Sequence, residues 1–496
     1  MKLKNGLLAL GATLIFCGAQ AQDKTAIKYA NSITNEDLYE RIAVLSSDEM
    51  EGRDTGKKGQ RMAAEYIANF YKSLGLVDPT KSGTYLQGFD LTSTAWGDVY
   101  IKSGKTTLKI DQDLIMAGDA DIKKAAKAKL VFVGNGSEEE FNAADVKGNL
   151  VAILSVGANY NTKANLAKEK GAIGVVVVNI GEEDRFKTTV ERYATFNSRG
   201  RLGFDRPTEQ FPVFLVSPAG MAGLFGTDAE TLMAAKGGAF KTKNVTYMAE
   251  KVKTAIPTEN VVGFIEGTDK KEEVLVISSH YDHIGVAPNG DVFNGADDDA
   301  SGTAAVMEIA EAFKKAADAG DRPRRSVLFL NVTGEEKGLL GSSYYSENPL
   351  FPLENTINNL NIDMIGRVDN NYKNEENQDY IYVIGSEMLS SHLKIVSDYA
   401  NATYVGLKLD YRYDDENDTN RFYYRSDHYN FAKNNIPVIF YFNGVHDDYH
   451  KVTDTIEKIE FDLLNKRTKL VFFTAWDLLN RENRTPVDRV NTRPAR

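Results

Sequence analysis

Five of the six histidines in this 496-residue chain, His280, His283, His428, His446 and His450, fall in three short polar segments: SHYDHIG, RSDHYNF and GVHDDYHKVTDT. Between the first and second stand the acidic motifs GADDDASG, GEEKGLLGS and NIDMIG. A single His or Asp of this kind is ordinarily solvated or caps a helix. Three consecutive carboxylates, Asp297, Asp298 and Asp299, exceed what a cap before a helix near Ser301 requires, and they repel one another unless a cation neutralises them. Glu335 and Glu336 are adjacent, so one can bind an ion while the other moves a proton. Imidazoles and carboxylates without a thiolate favour zinc, with cobalt or manganese as substitutes. A shared carboxylate can bridge two ions ~3.5–4 Å apart, and such a pair activates water and polarises a carbonyl, the chemistry that an unactivated amide demands.

Four of the motifs follow an apolar run. EVLVISS leads into His280, Tyr281 and Asp282; RSVLFLNV into Glu335 and Glu336; NLNI into Asp363; IPVIFYF into His446 and His450. Near-continuous Val, Ile, Leu and Phe suit strands buried on both faces, and the alternation with helical stretches such as SGTAAVMEIAEAFKKA predicts an α/β fold, a mixed, mainly parallel sheet sandwiched by helices. Ligands of such sheets bind beyond the carboxyl ends of the strands, where these polar residues lie. Upstream, SITNEDLYERIAVLSS and GKKGQRMAAEYIANFYKSLGL have helical spacing, with Thr34 and Asp37 as a capping pair and Gly75 as the stop of the second helix. From about Ala125 a separate set of short strands and helices begins, in LVFVGNG, VKGNLVAILSVG, TKANLAKEKGAIGVVVVNIG and FPVFLVSPAG.

The division expected from these patterns is a signal peptide over 1–21, an N-terminal part of the main domain over 22–111, an inserted α/β domain over 112–252, the metal-binding part over 253–480, and a flexible tail over 481–496. Lys2 and Lys4, the apolar run from Leu7 to Phe16 and the Ala19-Gln20-Ala21 site carry the signal-peptide reading, with export to a periplasm or the extracellular space. That run is shorter than a bilayer span, so no membrane anchor is expected. Cys17 is the only cysteine and leaves with the signal, which excludes disulfides and Cys nucleophiles from the mature chain. A formal net charge of −11 disfavours nucleic-acid partners.

Across about 258–462 these motifs occur in the order that characterises the two-zinc aminopeptidase family of clan MH, to which bacterial leucyl aminopeptidases belong, and the chain closely resembles it. The early segment LSSDEMEGRDTGKKGQRMAAEYI resembles the start of that family, and the insert resembles a protease-associated domain. The resemblance implies a zinc exopeptidase fold and two Zn2+ per chain, His280 and Asp363 holding one ion, Glu336 and His450 the other, and Asp298 bridging both. It further implies Glu335 as the general base acting on a metal-bridging water, and Asp282 as the carboxylate that orients His280. Asp427 and His428 match a further motif near the site, as supporting or substrate-binding residues or as structural hydrogen-bonding ones. Tyr411, Tyr413, Tyr423 and Tyr424 either pack a loop or supply an oxyanion donor. Expected substrates are peptides with a free N-terminus. A glutaminyl cyclase-like zinc acyltransferase, a carboxypeptidase of the same fold and a binding protein that has lost the chemistry are the competing readings. Preferred residue and oligomeric state are left open.

Overall fold

The computed structural model describes residues 22–207, 209–415 and 417–490, so the signal-peptide segment 1–21 lies outside the described residues. Two units divide the chain, one formed by residues 1–87 and 259–496, the other by 88–258.

In the first unit four parallel strands form the centre of a sheet, in the order Val438–Phe442, Thr356–Ile362, Lys270–His280 and Arg325–Val332. Antiparallel partners flank them: residues 261–265 beside Arg325–Val332, and Tyr380–Ile384 beside Val438–Phe442. Alternation along Lys270–His280 shows why the strand reads as an unbroken apolar run. Leu275 and Ile277 enter one core with the helices Lys58–Leu74, Gly302–Asp318 and Phe461–Asn480, while Val274 and Val276 enter a second, tyrosine-rich core on the opposite face. The helix Asn35–Leu45 begins as its cap predicts: the Asp37 N–H donates to Thr34 Oγ1 at 3.1 Å and the hydroxyl returns a bond to the Asp37 carboxylate at 2.8 Å. Gly75, with φ 70°, ends Lys58–Leu74.

In the second unit the strands Ile122–Phe132, Leu150–Leu154, Gly174–Val178, Val213–Val216 and Leu114–Met116 are hydrogen-bonded neighbours in that order. This unit is wider than the expected 112–252. The strand Leu86–Ser103 pairs antiparallel with Thr106–Lys109 and with Arg201–Gly203, which brings the chain into the unit from Gly88 onward. A strand whose partner lies about a hundred residues away is not visible to local patterning.

The tail expected to be flexible after Asn480 is tied down over its described part, 481–490. The fully buried Arg325 guanidinium donates to the carbonyls of Arg481 (2.6 Å) and Glu482 (3.2 Å), Thr485 Oγ1 to Asn358 Oδ1 (3.0 Å), and the Asp488 N–H to the Leu389 carbonyl (3.1 Å). Among the described residues no helix is long and apolar enough to cross a membrane.

Helix Gly302–Asp318 buries a carboxyl away from the strand ends, that of Glu308. Glu308 is 1% exposed and faces Arg41 Nε at 3.4 Å. Burial and Glu311 push its carboxyl up to about 8, against the opposing pull of Arg41. A folded-state carboxyl raised above its unfolded value stabilises the fold at low pH, and that contribution is lost as pH rises from the unfolded value towards about 8. Melting temperatures of Glu308→Gln and the parent chain, compared from about pH 5 to about pH 9, should show the variant gaining relative stability as pH rises; a constant difference would contradict this.

Candidate metal centre

All four central strands point their carboxyl ends at one edge of the sheet, and the acidic and imidazole residues are there. His280 closes its strand, Glu335 and Glu336 follow Arg325–Val332, Asp363 follows Thr356–Ile362, and His450 lies in the loop after Val438–Phe442. Met364 and His450 take left-handed backbone at φ 54° and 56°, conformations that a fold retains where the surroundings impose them.

Two donor groups result. In the first, His280 Nε2 stands 3.3 Å from Asp298 Oδ1 and 3.6 Å from Asp363 Oδ1. In the second, His450 Nε2 is 3.2 Å from both Asp298 Oδ2 and Glu336 Oε2, and His283 Nδ1 is 2.9 Å from Glu336 Oε1. Asp298 thus turns one oxygen to each group. These donors fit zinc: they are imidazole nitrogens and carboxylate oxygens at spacings close to the about 3.4 Å expected between ligands of a tetrahedral ion with ~2.1 Å bonds. Asp298 Oδ2 and Glu336 Oε1 are buried and have no hydrogen-bond partner, a costly condition that a cation relieves.

The acidic triplet divides its labour. Asp297 Oδ1 accepts from the Gly366 N–H (2.6 Å) and Ser301 Oγ (3.1 Å), and its Oδ2 lies 3.1 Å from His446 Nε2. Asp299 Oδ1 accepts from the N–H groups of Gly302 and Met364, each at 2.9 Å. Those two brace the loop and leave Asp298 to face the donors. Asp454 Oδ2 takes the N–H groups of Asp297 and Asp298 at 3.0 and 3.1 Å. Beneath them Arg53, fully buried, donates to the carbonyls of Leu45, Tyr281 (2.8 Å), Asn294 (2.7 Å) and Gly295 (2.9 Å). Gly295, at φ 57°, is required there because a Cβ would lie 2.3 Å from the Asp298 carbonyl and 2.6 Å from the His283 ring.

Electrostatics follow from this crowding. Burial and Asp298 push the Glu336 carboxyl up, but His283 and His450 prevail and hold it at about 2. Burial works against a charge on His450, yet Asp298 and Glu336 raise it to about 10. Glu335 is driven well above the usual carboxylate range by burial, reinforced by Asp363, Glu336 and Asp427 and opposed by His280. Its Oε2 is 4.0 Å from His280 Nε2, and its N–H donates to Asp282 Oδ1 at 3.1 Å. Asp282 also accepts from Thr55 Oγ1 at 2.7 Å and stands 3.7 Å from His280 Nδ1.

Asp427 is buried at the margin of this field, accepting from Ser342 Oγ at 2.5 Å; burial raises its carboxyl to about 7 against the pull of His280. His428 stands elsewhere, stacked on Phe440 with ring centroids 4.7 Å apart and fully buried, and burial lowers it to about 3. Of the four loop tyrosines, Tyr411 donates to Asp398, Tyr413 packs on Tyr382 and Phe422, and Tyr423 and Tyr424 lie in the aromatic core. The tyrosine that reaches the donors is Tyr449, stacked on His450 at 3.8 Å between centroids. The sequence groups His283 and His446 with the other site histidines but gives neither a role, and it does not mark Tyr449 or Arg53. The available signal was their place inside or beside the same motifs.

Strand ends that present two carboxylate and imidazole groups sharing one aspartate define a metallohydrolase type of centre. Residues 260–475 match the profile of Peptidase family M28 and residues 125–221 that of the PA domain, so the chain carries an M28 peptidase region with a PA domain inserted ahead of it. Aminopeptidase YwaD of Bacillus subtilis strain 168 is 24% identical over 361 residues, covering 70% of this chain and 67% of that protein. A probable zinc metalloprotease of Pyrenophora teres f. teres is 29% identical over 246 residues (45% of this chain), and a probable glutamate carboxypeptidase of Arabidopsis thaliana 24% over 362 residues (62%). The chain spans about half the length of each of these two, 48%. Among solved structures, the aminopeptidase from Aneurinibacillus sp. strain AM-1 shares the fold with a TM-score of 0.55 at 20% identity, over 95% of this chain and all of that one.

Asp298→Asn removes the one carboxylate common to both groups while preserving shape. Its bound zinc, counted after dialysis against buffer, is expected to fall at both positions with the circular dichroism unchanged; full retention of metal would show that Asp298 is not shared.

Proposed function

We infer that the chain is a zinc-dependent aminopeptidase that removes residues from the N-terminus of peptides, with two ions at the paired donor groups. The observation that carries this reading is the double use of Asp298, one oxygen per group, with Glu335 at their edge. Zinc held there supplies an acidified water and a polarised carbonyl, and cobalt or manganese are substitutes.

The protein's own part is proton movement and orientation. Glu335, whose carboxylate stands at the edge of the donor groups, takes a proton from the attacking water and passes it to the departing amine as the C–N bond breaks. Asp282 holds the Glu335 backbone through its N–H and lies against the imidazole of His280, which keeps base and donor in register. The complete donor set weighs against the cyclase and binding-protein readings.

The names of the Bacillus and Aneurinibacillus relatives support action at the amino end. A carboxypeptidase reading also has an observation in its favour: Arg425 Nη2 lies 3.4 Å from Tyr449 Oη beside His450, where a cation could meet a C-terminal carboxylate. The Lys2-to-Ala21 pattern supports export, and the PA domain is proposed to limit substrate size.

Glu335→Gln is expected to keep its zinc and lose about 10²–10⁴-fold in turnover; near-parental turnover would refute the base. Peptides acetylated at the N-terminus should resist the enzyme while C-terminally amidated ones are cleaved, and the reverse pattern would establish the carboxypeptidase reading instead.

A further inference from the structure

His283 is unexplained by anything so far assigned to the site. Its side chain is fully buried, and both ring nitrogens lack a hydrogen-bond partner. Burying an imidazole with neither nitrogen satisfied is unfavourable unless something occupies the place at which one of them aims. Nδ1 aims at the second donor group, 2.9 Å from Glu336 Oε1 and 3.7 Å from Asp298 Oδ2, two oxygens that are themselves buried and unpartnered. The ring is held in this attitude by its backbone, whose N–H donates to the Arg53 carbonyl at 3.2 Å, and by Gly295, which leaves room for it.

Resting on the metallopeptidase reading above, we propose that His283 is a sixth protein ligand, binding the second ion through Nδ1 beside Asp298, Glu336 and His450. The separations of Nδ1 from Glu336 Oε1 and Asp298 Oδ2, 2.9 and 3.7 Å, bracket the about 3.4 Å expected between two ligands of one tetrahedral zinc. The two positions are then unequal. The second group offers four protein donors, Asp298, Glu336, His283 and His450, and the first group three, His280, Asp298 and Asp363. His450 is the exposed member of its group, with a side chain 38% accessible, and His283 secures the ion from the buried side.

Crystals of the full chain grown with zinc and phased on the zinc edge provide the test. A separation between His283 Nδ1 and the second ion of ~2.0–2.1 Å is expected; a ring more than about 3 Å from the ion, hydrogen-bonded to Glu336, overturns the proposal. In solution, His283→Ala and the bulkier His283→Gln should each weaken one of two zincs by about 10- to 100-fold in chelator competition and leave the other unchanged. Two ions of parental affinity in a folded variant would overturn it. A folded parental chain that takes up no zinc would refute the metallopeptidase reading itself, and this proposal with it.

Discussion

Concentrated negative charge removed from water governs this site. Asp297, Asp298, Asp299, Asp363 and Glu336 are gathered at the ends of parallel strands with little or no access to solvent, and Glu335 stands beside them. Burying one carboxylate costs several kcal/mol, and burying neighbours adds their repulsion, unless each finds hydrogen-bond donors or a cation. Asp297 and Asp299 find backbone N–H groups. The oxygens of Asp298 and Glu336 that face the imidazoles do not, and a metal resolves that imbalance.

Holding the acidic loop in place requires the rest of the peptidase unit. Arg53 comes from the N-terminal segment yet binds carbonyls of the 294–295 turn, so residues far apart in sequence fix the position of one carboxylate. Asp454 performs the complementary task from the other end of the chain, accepting the N–H groups of Asp297 and Asp298. The sheet keeps donors from four strands in register through parallel pairing and a buried polar ladder, in which Ser278 Oγ donates to Asn361 Oδ1 at 2.7 Å and Asn331 Nδ2 to Ser279 Oγ at 2.7 Å.

Local signals revealed much of this. Helix caps at Thr34 and Gly75, unbroken apolar strands and acidic motifs at their ends are each set by residues within a few positions of one another. What escaped depends on distance through the chain. His283 reads as one more polar residue in SHYDHIG until the fold places it against Glu336, and Tyr449 gains meaning only from its stacking on His450. The pairing of Leu86–Ser103 with Arg201–Gly203 is likewise carried by residues far apart in sequence. Neither hydropathy nor spacing could choose among Asp297, Asp298 and Asp299 as the shared donor; the family resemblance did so, and the hydrogen bonds supply the physical reason.

Zinc content of the folded chain, measured together with its melting temperature before and after chelation, tests the central claim most directly. A cation-dependent site predicts close to two ions per chain and a melting temperature that falls by several degrees on chelation and recovers when zinc is restored. A folded chain that holds no metal and melts at the same temperature with and without chelator would contradict it.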